Sequence, residues 1–383
     1  MRLYLEQNLT PARRGRGRRE LSCSDGPSMI DLRSDTQTKP SPAMREAMAN
    51  AEVGDEQKRE DPTVVALEEA AAAFVGQEQA VYLPSATMAN EIALLILGTR
   101  GSELLVERSA HIMISELGGP AMYAGLLARG ISGTLGRIAP EQVREAIHPP
   151  DPLHSPQPSL LALENSHNSS GGTVWPYPEL EAVVAVAREL GLAIHLDGAR
   201  LANAAVAIDR PAAEIGRLFD TVTLCFSKGL GCPLGAILAG SHDLMGRARI
   251  EKHRFGGAMR QAGIVAAAGL YALEYNVERL AEDHARARRL AESWAAAGVP
   301  VDLDRVQTNF VQIDVGALEL SSPQALGALA DAGVLLSGTV RPGVIRALTH
   351  LDVDDLDIER AIELVPAALG ARSAIGPASG HGR

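Results

Sequence analysis

Short apolar runs alternate with amphipathic stretches along this chain from Ile30 onward. The runs lack the polar alternation of a half-buried strand, which is typical of strands buried on both faces. Between them lie stretches with helical spacing, one of which has Pro near its start and Gly191 just past its end. The pattern predicts strands at 80–83, 103–107, 160–163, 193–196, 221–226 and 236–239, and helices at 87–97 and 178–190. This alternation predicts βαβ units, and hence an α/β fold with a mostly parallel sheet.

The pattern changes after residue 260. Residues 260–297 are strongly helical in character, and the shorter segments that follow suggest a smaller α+β domain. These segments predict strands at 309–313 and 344–347 and helices at 323–332 and 358–369. We therefore divide the chain into a disordered Arg-rich N-terminal extension (1–28), a large domain (29–277), a small C-terminal domain (278–371) and a flexible tail (372–383).

Several arginines cluster among Gly, Pro and Ser in the N-terminal extension: Arg13, Arg14, Arg16, Arg18 and Arg19. Such a segment is either a targeting or anion-binding arm, or a disordered tail ahead of a functional start at Met29. The second interpretation is favoured because the segment has no apolar core of the kind that a signal peptide carries.

Composition narrows the class of partner. The 383 residues are 46% apolar and 22% charged, as in ordinary soluble enzymes, and carry a net charge of −11. This acidic balance, with only 3% aromatic residues, argues against nucleic acid as a partner. No apolar run is long enough to span a membrane. Because Cys23, Cys225 and Cys232 have no paired spacing, we expect neither a disulfide framework nor a metal site, and a cytoplasmic location.

Two charged residues follow predicted strands. Lys228 follows the strand at 221–226, and Asp197 follows the strand at 193–196. Alone, the lysine is equally well a surface residue, and the aspartate is more often a helix cap. A helix-sized segment separates the two strands, however, so both side chains can reach one edge of the sheet. There a lysine can form a Schiff base and an aspartate can pair with a pyridinium nitrogen, as pyridoxal phosphate requires.

Three further positions also follow predicted strands. Residues 85–87 lie where a helix begins, so free N–H groups and the helix dipole could bind phosphate, although such a segment is more often only a capped helix. His111 follows the strand at 103–107, and His167 lies in a polar, Gly-containing loop after the strand at 160–163. A lone histidine is more often structural, but polar loops at this edge of a sheet tend to be functional.

The segment 229–235 superficially resembles a glycine-rich dinucleotide loop. It lacks the required spacing, contains Pro233 and leads into a strand rather than a helix. We therefore reject a nicotinamide site, and with it a plain NAD oxidoreductase.

These positions belong to a longer series of motifs between about residues 30 and 369. In chain order the motifs are Ile30-Asp-Leu-Arg-Ser-Asp-Thr, Glu60-Asp-Pro-Thr, Pro84-Ser-Ala-Thr-Met-Ala-Asn, Leu163-Glu-Asn-Ser-His-Asn, His195-Leu-Asp-Gly-Ala-Arg, Ser227-Lys-Gly-Leu, Gly256-Gly-Ala-Met-Arg-Gln-Ala-Gly and Arg346-Ala-Leu-Thr-His. In order and spacing they resemble the L-threonine aldolase family (low-specificity type), within the β-eliminating lyase group of fold type I pyridoxal-phosphate enzymes.

The resemblance implies a fold and a reaction. The fold would be aspartate-aminotransferase-like, with a large domain on a mostly parallel, mixed seven-stranded sheet and a small C-terminal α+β domain. The cofactor would be pyridoxal 5'-phosphate and the substrate a small amino acid. The reaction would be retro-aldol cleavage of the Cα–Cβ bond of a β-hydroxy amino acid, giving glycine and acetaldehyde from L-threonine or L-allo-threonine. Family members are commonly homo-oligomers, dimers or tetramers, with shared active sites.

The resemblance also implies which residues hold the cofactor. Lys228 would form the Schiff base, Asp197 would pair with the pyridine nitrogen, and His111 would stack on the ring. The phosphate would be bound by Ser85, Ala86 and Thr87. The remaining cofactor positions would be Ser227, Arg200 beside the ring hydroxyl, and Arg260, which would come from, or support, a neighbouring subunit's site.

Other matching residues would contact the substrate. Ser34 and Arg346, with Arg200, would clamp its carboxylate, because a planar guanidinium suits a carboxylate. His167 would lie near the β-hydroxyl group. The base that removes the hydroxyl proton could be His167, His111 or a bound water.

The chain departs from the family on the substrate side. Gln57, Lys58 and Arg59 stand where the family has Val-Tyr-Gly, and Ile114 and Ser115 where it often has an aromatic pair. These changes leave the cofactor residues intact but keep related reactions open: β-elimination, or aldol and transaldol chemistry on a different β-hydroxy amino acid. A non-catalytic ligand sensor is a further alternative, although such a protein has no need of the retained cofactor residues.

Overall fold

The computed structural model describes residues 29–149 and 153–371. They form two compact units, the first made of 38–281 and the second of 29–37 together with 282–371. The Arg-rich extension at 1–28 and the tail at 372–383 lie outside the described residues, so what was predicted of them stays a prediction.

Strands and helices are named in chain order. Among the described residues the strands are β1 (Ile30–Asp31), β2 (Gln79–Leu83), β3 (Glu103–Glu107), β4 (Leu127–Ile131), β5 (Pro158–Glu164), β6 (Ala193–Gly198), β7 (Thr221–Cys225), β8 (Ala236–Gly240), β9 (Phe310–Asp314), β10 (Val334–Leu335), β11 (Ser337–Gly338) and β12 (Val344–Leu348). The α-helices are α1 (Pro42–Ala49), α2 (Pro62–Val75), α3 (Ala86–Leu97), α4 (His111–Ile114), α5 (Pro140–Glu145), α6 (Tyr177–Glu189), α7 (Leu201–Ala207), α8 (Ala212–Gly216), α9 (His242–Arg254), α10 (Gly263–Tyr275), α11 (Leu280–Ala296), α12 (Ser322–Asp331) and α13 (Asp355–Ala368). A π-helical turn covers Pro120–Ala124.

The first unit is built on a seven-stranded sheet with the strand order β2-β8-β7-β6-β5-β3-β4. Neighbouring strands are parallel except on the two sides of β8, which is antiparallel to both β2 and β7. Six strands therefore run in one direction, and β8 alone in this sheet is reversed. This confirms the expected mixed, mostly parallel sheet.

All six strands predicted for this sheet are present, and so are the helices predicted at 87–97 and 178–190. The sequence reading omitted β4, which pairs only with β3 at the edge of the sheet. Most of its residues, including Arg129 and Gly130, are exposed or half-buried. An edge strand of this kind lacks the continuous apolar run that marks the central strands.

The central strands are apolar because helices cover both faces of the sheet. Leu104, Leu161, Leu196, Leu224 and Ile237 are fully buried, one from each of five neighbouring strands. Polar and charged side chains therefore collect where the chain leaves the strands.

The motif Glu60-Asp-Pro-Thr begins a helix. Asp61 caps α2 by accepting a hydrogen bond from the backbone N–H of Val64 at 3.0 Å, and Pro62 occupies the first turn. The same carboxylate accepts N–H groups from Gly54 at 3.2 Å and Gly263 at 2.8 Å. Asp61 therefore joins the start of α2 to the start of α10, which gives this motif a structural role.

The second unit has its own core. β9, β12 and β11 form an antiparallel sheet, and β1 pairs in parallel with β10. Helices α12, α13 and most of α11 pack with them. Trp294 of α11 is fully buried, and its Nε1 donates to the carbonyl of Ala361 at 3.0 Å.

Residues 29–37 pack in this second unit, whereas the sequence pattern assigned them to the large domain. Ile30 pairs with Val334, and both Ile30 and Leu32 are buried in the second core. A two-residue strand carries no periodicity, so the pattern could not show where it pairs. The other boundary between the two units lies between 281 and 282. No helix among the described residues is both long and apolar enough to cross a bilayer.

Candidate active site

Polar residues gather at one edge of the seven-stranded sheet. Because six strands run in the same direction, their carboxyl ends share this edge, where ligands of open parallel sheets bind. The predicted site residues of the first unit that end or follow these strands are Ser85 after β2, His111 after β3, His167 after β5, Asp197 in β6 and Lys228 after β7.

Asp197 and Lys228 belong to neighbouring parallel strands. Asp197 lies opposite Thr223 in the β6–β7 pair, and Lys228 follows a few residues further along β7. The Asp197 side chain is 1% exposed; its Oδ2 accepts from Asn90 Nδ2 at 3.1 Å and its Oδ1 from the N–H of Ala199 at 3.1 Å. Lys228 is half-buried, and its Nζ makes no hydrogen bond or ion pair with any described residue. An anchored anion and an available amine therefore end adjacent strands.

The loop that carries Lys228 is held at both ends. Phe226 N–H donates to the carbonyl of Gly235 at 2.9 Å, and Gly231 N–H donates to the carbonyl of Lys228 at 2.9 Å. Gly235 N–H in turn donates to the carbonyl of Pro84 at 3.1 Å, which joins this loop to the start of α3. Gly235 has a φ of 111°, and a side chain there would overlap the Tyr82 ring, so glycine is required.

His111 begins α4 and is anchored on two sides. Its backbone N–H donates to Glu164 Oε2 at 2.7 Å, and its Nδ1 lies 2.8 Å from Glu116 Oε1. Since the carboxylate can only accept, Nδ1 carries the proton and Nε2 is left for a ligand. The hydrogen bond to Glu116 raises the pKa of His111 above its ordinary value, against the effect of burial. Ligand atoms of His111, Glu116 and Asp197 all lie within 4.8 Å of one another.

Asn90 of α3 connects these groups, and the sequence reading missed it. Its Nδ2 donates to Asp197 Oδ2 and, at 2.9 Å, to Glu116 Oε1. Its Oδ1 lies 3.1 Å from Nε2 of His195, whose Nδ1 lies 2.8 Å from the Thr221 hydroxyl. Burial lowers the pKa of His195 to about 4, so the ring is neutral and donates one proton to Asn90.

His167 is fully buried, with both ring nitrogens beside protein groups. Its Nδ1 accepts the N–H of Ser170 at 3.2 Å, which places the ring proton on Nε2. Nε2 lies 3.2 Å from Glu107 Oε2 and 3.7 Å from Glu164 Oε2, both within ion-pair distance. Burial lowers the pKa of His167, but Glu164 and Glu107 outweigh it and raise the pKa overall.

Glu107 is the matching acid. Burial alone would raise its pKa, but hydrogen bonds from His167 and Ser109, with the charge of His167, lower it to about 2. Ser109 donates both its N–H at 2.7 Å and its hydroxyl at 2.6 Å. Glu107 therefore stays ionised and holds the His167 ring in a single orientation.

Glu164 was also missed by the sequence reading. Besides the N–H of His111, it accepts the N–H of Asn168 at 2.6 Å. The side chain of Asn168 accepts from Nη1 of the buried Arg200 at 3.3 Å. A single carboxylate at the end of β5 thus aligns the segment of His111 with the loop that supports Arg200.

The predicted phosphate-binding segment begins α3. Ser85 caps this helix by accepting the N–H of Met88 at 3.2 Å, and Ala86 and Thr87 are its first two residues. Ser85 and Thr87 are exposed, so a ligand can reach this end of the helix. Ser227 lies half-buried beside Lys228, with its hydroxyl 3.4 Å from the thiol of Cys225.

Arg260 is not brought into this cluster by any of its contacts in the structure. Its Nη1 pairs with Asp55 Oδ2 at 3.0 Å, and its side chain is 62% exposed. Nearby, Lys58 and Arg59 are exposed at the turn before α2. Behind them the buried Lys252 pairs with Glu56, and burial lowers the pKa of this lysine.

Ser34 and Arg346 both belong to the second unit. The hydroxyl of Ser337 donates to the carbonyl of Arg33 at 2.8 Å and accepts from Arg346 Nε at 3.2 Å. This hydroxyl therefore links the segment of Ser34 to the strand of Arg346. The guanidinium of Arg346 also lies 5.7 Å from the centre of the Phe310 ring, within cation–π distance.

Comparisons with known proteins agree with this architecture. A family profile described as beta-eliminating lyase matches residues 31–317. The chain is 43% identical to the low-specificity L-threonine aldolase of Escherichia coli strain K12 over 327 residues, which cover 85% of this chain and 95% of that protein.

Solved structures show the same fold. The threonine aldolase of Leishmania major gives a TM-score of 0.78 at 19% identity, covering 89% of this chain and 99% of that one. The aspartate aminotransferase of Thermus thermophilus gives 0.67 at 16% identity, covering 89% and 92%. The expected aspartate-aminotransferase-like fold is therefore confirmed. With most of its length matched by the family profile and by a close relative, this chain belongs to the β-eliminating lyase family.

Proposed function

We propose that this protein is a pyridoxal-phosphate-dependent lyase that cleaves the Cα–Cβ bond of a β-hydroxy amino acid. From L-threonine or L-allo-threonine the products are glycine and acetaldehyde. The observation that carries the proposal is the edge where an anchored carboxylate, Asp197, and an available amine, Lys228, end neighbouring strands. The 43% identity to the E. coli threonine aldolase supports this reaction over others on the same fold.

The residues at this edge fit the cofactor. Among the described residues the Asp197 carboxylate accepts two hydrogen bonds, so it can also pair with a pyridine nitrogen. Lys228 has no competing partner among the described residues and can hold the aldehyde carbon covalently. The N–H groups at the start of α3, with Ser85 and Thr87, suit a phosphate. When bound, the cofactor supplies an electron sink for the bond that breaks at Cα.

Asp197 would keep the pyridine nitrogen of the bound cofactor protonated. A buried anion beside this nitrogen favours its cationic form. Asn90 holds the carboxylate in place, and the neutral His195 holds Asn90, so the anion cannot turn away. These contacts would hold the Asp197 carboxylate in one place throughout the reaction.

The bond that breaks is selected by orientation. We assign the substrate carboxylate to Arg346 and Ser34 of the second unit, together with Arg200. Ser337 supports the first two by joining their segments, and Asn168 orients the guanidinium of Arg200. A clamped carboxylate would fix the rotation about Cα and so determine which bond at Cα is broken.

We assign the removal of the β-hydroxyl proton to His111. Its Nδ1 is occupied by Glu116, which leaves Nε2 as the basic atom. As the proton leaves the hydroxyl, the O–H electrons form the aldehyde C=O bond and the Cα–Cβ pair moves to Cα, which later takes up a proton to give glycine. Both nitrogens of His167 face protein groups, so we assign it the role of holding the loop rather than of base.

We propose that the protein is a homo-oligomer, a dimer or tetramer, and acts in the cytoplasm on amino acids, within glycine metabolism. Close to the site, large apolar side chains are exposed: Ile114, Leu117, Met122, Tyr123 and Leu127. Clusters of exposed large apolar side chains are typical of surfaces that bind other proteins. Self-association would cover it, and Arg260 would then serve a neighbouring subunit's site.

The products formed from each candidate amino acid identify the substrate and the reaction. With L-threonine or L-allo-threonine we expect glycine and acetaldehyde in equal amounts, because retro-aldol cleavage releases one of each. Phenylserine tests tolerance of a bulkier aldehyde. The products are measured by amino-acid analysis and aldehyde trapping. Ammonia and a 2-oxo acid in place of the aldehyde would mean β-elimination and would refute the proposed reaction.

The lysine can be identified by chemical trapping. The chain has four lysines, Lys39, Lys58, Lys228 and Lys252. Borohydride reduction of the holoenzyme followed by peptide mapping is expected to label Lys228 alone. K228A should lose the label, the absorbance band near the visible edge and turnover, while the exposed-site control K39A keeps all three. A label on another lysine contradicts the assignment.

The Glu107–His167 pair predicts part of the acid stability. Because the pKa of Glu107 is lower in the folded chain, its stabilisation is complete above about pH 4.5 and is lost as the pH falls towards 2. E107Q should lower the free energy of unfolding at pH 7 by on the order of 3 kcal/mol and flatten its dependence between pH 5 and 3. Urea titrations at several pH values measure this.

The control for that prediction is E179Q. Glu179 is exposed and pairs with Arg137 at 3.2 Å, so its loss should cost less than about 1 kcal/mol. An E107Q protein as stable as E179Q at pH 7 would show that the buried pair contributes little.

The oligomer prediction is tested at Leu117, which is 99% exposed. L117D should shift the mass measured by light scattering towards smaller species, because a charge in an interface core is costly. L356D alters an equally apolar exposed residue of α13 and should leave the mass unchanged. A monomeric wild-type protein would exclude shared sites.

A further inference from the structure

Glu91 of α3 is a buried acid with no hydrogen-bond donor. Its side chain is 2% exposed, and neither carboxylate oxygen has a partner among the described residues. Buried carboxylates are nearly always paired with a cation or a donor, because an isolated ionised group loses its hydration. This acid therefore needs an explanation that the reaction described above does not provide.

The carboxyl group lies against the turn that follows Glu116. A methyl group on Gly119 would overlap Glu91 Oε1, so the absence of a side chain there makes room for the acid. Glu116 also has a buried oxygen without a donor, its Oε2. Its other oxygen, Oε1, accepts from both Asn90 and His111. Each of the two acids thus has a buried oxygen without a donor among the described residues, and the Glu116 carboxyl lies within hydrogen-bonding reach of Glu91.

The other charged groups near α3 are already engaged. Helix α9 packs on α3. Its two basic residues nearby are already paired, Arg249 with Glu68 and Lys252 with Glu56. β7 and β8 carry no acid or base that could pair with Glu91, and the π-helical turn contributes only the exposed Tyr123. At the end of β6, Asp197 is bound to Asn90. The charge that acts on Glu91 is that of Glu116.

We propose that Glu91 is a positioning residue that carries a proton in the resting protein and donates it to Glu116 Oε2. A shared proton satisfies both acids with groups that the described residues themselves supply. Burial first, and the charge of Glu116 second, raise the pKa of Glu91 to about 8. The pair then holds one negative charge, located on Glu116.

The consequence lies at His111. With Oε2 occupied by the proton of Glu91, Glu116 directs Oε1 to His111 Nδ1 and Asn90 Nδ2. Glu91 thereby fixes the tautomer of His111 and, through Asn90, the orientation of Asp197. For its catalytic meaning this inference rests on the proposed function, but the proton on Glu91 does not.

The sign of the pH dependence follows from the raised pKa. In the folded chain Glu91 keeps its proton up to about pH 8, whereas in the unfolded chain it loses it near 4.5. The folded state therefore binds more protons across this interval, and the stability contributed by Glu91 falls as the pH rises from 4.5 to 8. Above pH 8 the ionised Glu91 adds a second negative charge beside Glu116, and this charge also raises the pKa of His111.

The first test needs no turnover. Infrared spectra of protein labelled with 13C-glutamate should show the carbonyl stretch of a protonated carboxyl at pH 6, lost as the pH passes about 8. E91Q should lack this band. The melting temperature of E91Q relative to wild type should rise steadily between pH 5 and 8.

The matched control is E103Q. Glu103 is also a buried glutamate but has a cationic partner, Arg129, at 3.4 Å. E103Q should keep the infrared band, and its melting temperature should gain nothing relative to wild type as the pH rises. A wild-type protein without the band at pH 6, or a constant difference between E91Q and wild type, overturns the proposal.

The second test compares E91Q with E91L in the holoenzyme. The amide can still donate to Glu116, so E91Q should keep kcat within about twofold at pH 7 and lose the inflection near pH 8. Leucine fills the space without a donor, so kcat of E91L should fall about tenfold or more with KM little changed. The acid limb of its profile should move to higher pH, because Glu116 becomes a stronger acceptor for His111.

Failure of the positioning role of Glu91 and failure of the proposed function give different results. Equal pH profiles for E91L and wild type would refute the positioning role even if threonine is cleaved. If the wild type does not cleave β-hydroxy amino acids, the proposed function fails, while the infrared band and the melting series still decide the state of Glu91.

Discussion

The site depends on one buried hydrogen-bond arrangement: Asn90 holding the carboxylate of Asp197. An ionised aspartate deep in a sheet is costly unless donors surround it. Asn90 supplies one donor and the N–H of Ala199 another, and the neutral His195 prevents the amide from flipping. A preorganised charge of this kind costs no rearrangement when a ligand arrives, which is the usual origin of electrostatic catalysis.

Much of this fold is visible in the chain, for a physical reason. Strands buried on both faces must be continuous apolar runs, so β2, β3, β5, β6, β7 and β8 stand out. The half-exposed β4 and the two-residue β1 carry no such pattern. Their places depend on pairing with β3 and β10, contacts between residues far apart in the chain. Local patterns cannot report such contacts.

The site divides in the same way. The placement of Asp197 and Lys228 at one edge could be predicted because strand ends in a parallel sheet meet there. Asn90, Glu116 and Glu164 could not, because each is a single polar residue whose role appears only when distant segments come together. The alternation in His195-Leu-Asp, which puts His195 and Asp197 on one face of β6, was the one local sign of the network. The roles inferred for Ser34, Arg346 and Arg260 rest on resemblance and remain predictions.

The single reversed strand has a consequence for how Lys228 moves. Elsewhere in the sheet the chain leaves a strand through a long crossover, but β7 returns directly into its antiparallel neighbour β8. Backbone hydrogen bonds therefore fix both ends of the loop that carries Lys228. The backbone of this loop is fixed and only the Lys228 side chain can rotate, so under the proposed function the amine would stay close to the ligand that it releases. Release and recapture would then be steps within one molecule, at the high effective concentration that such tethering provides.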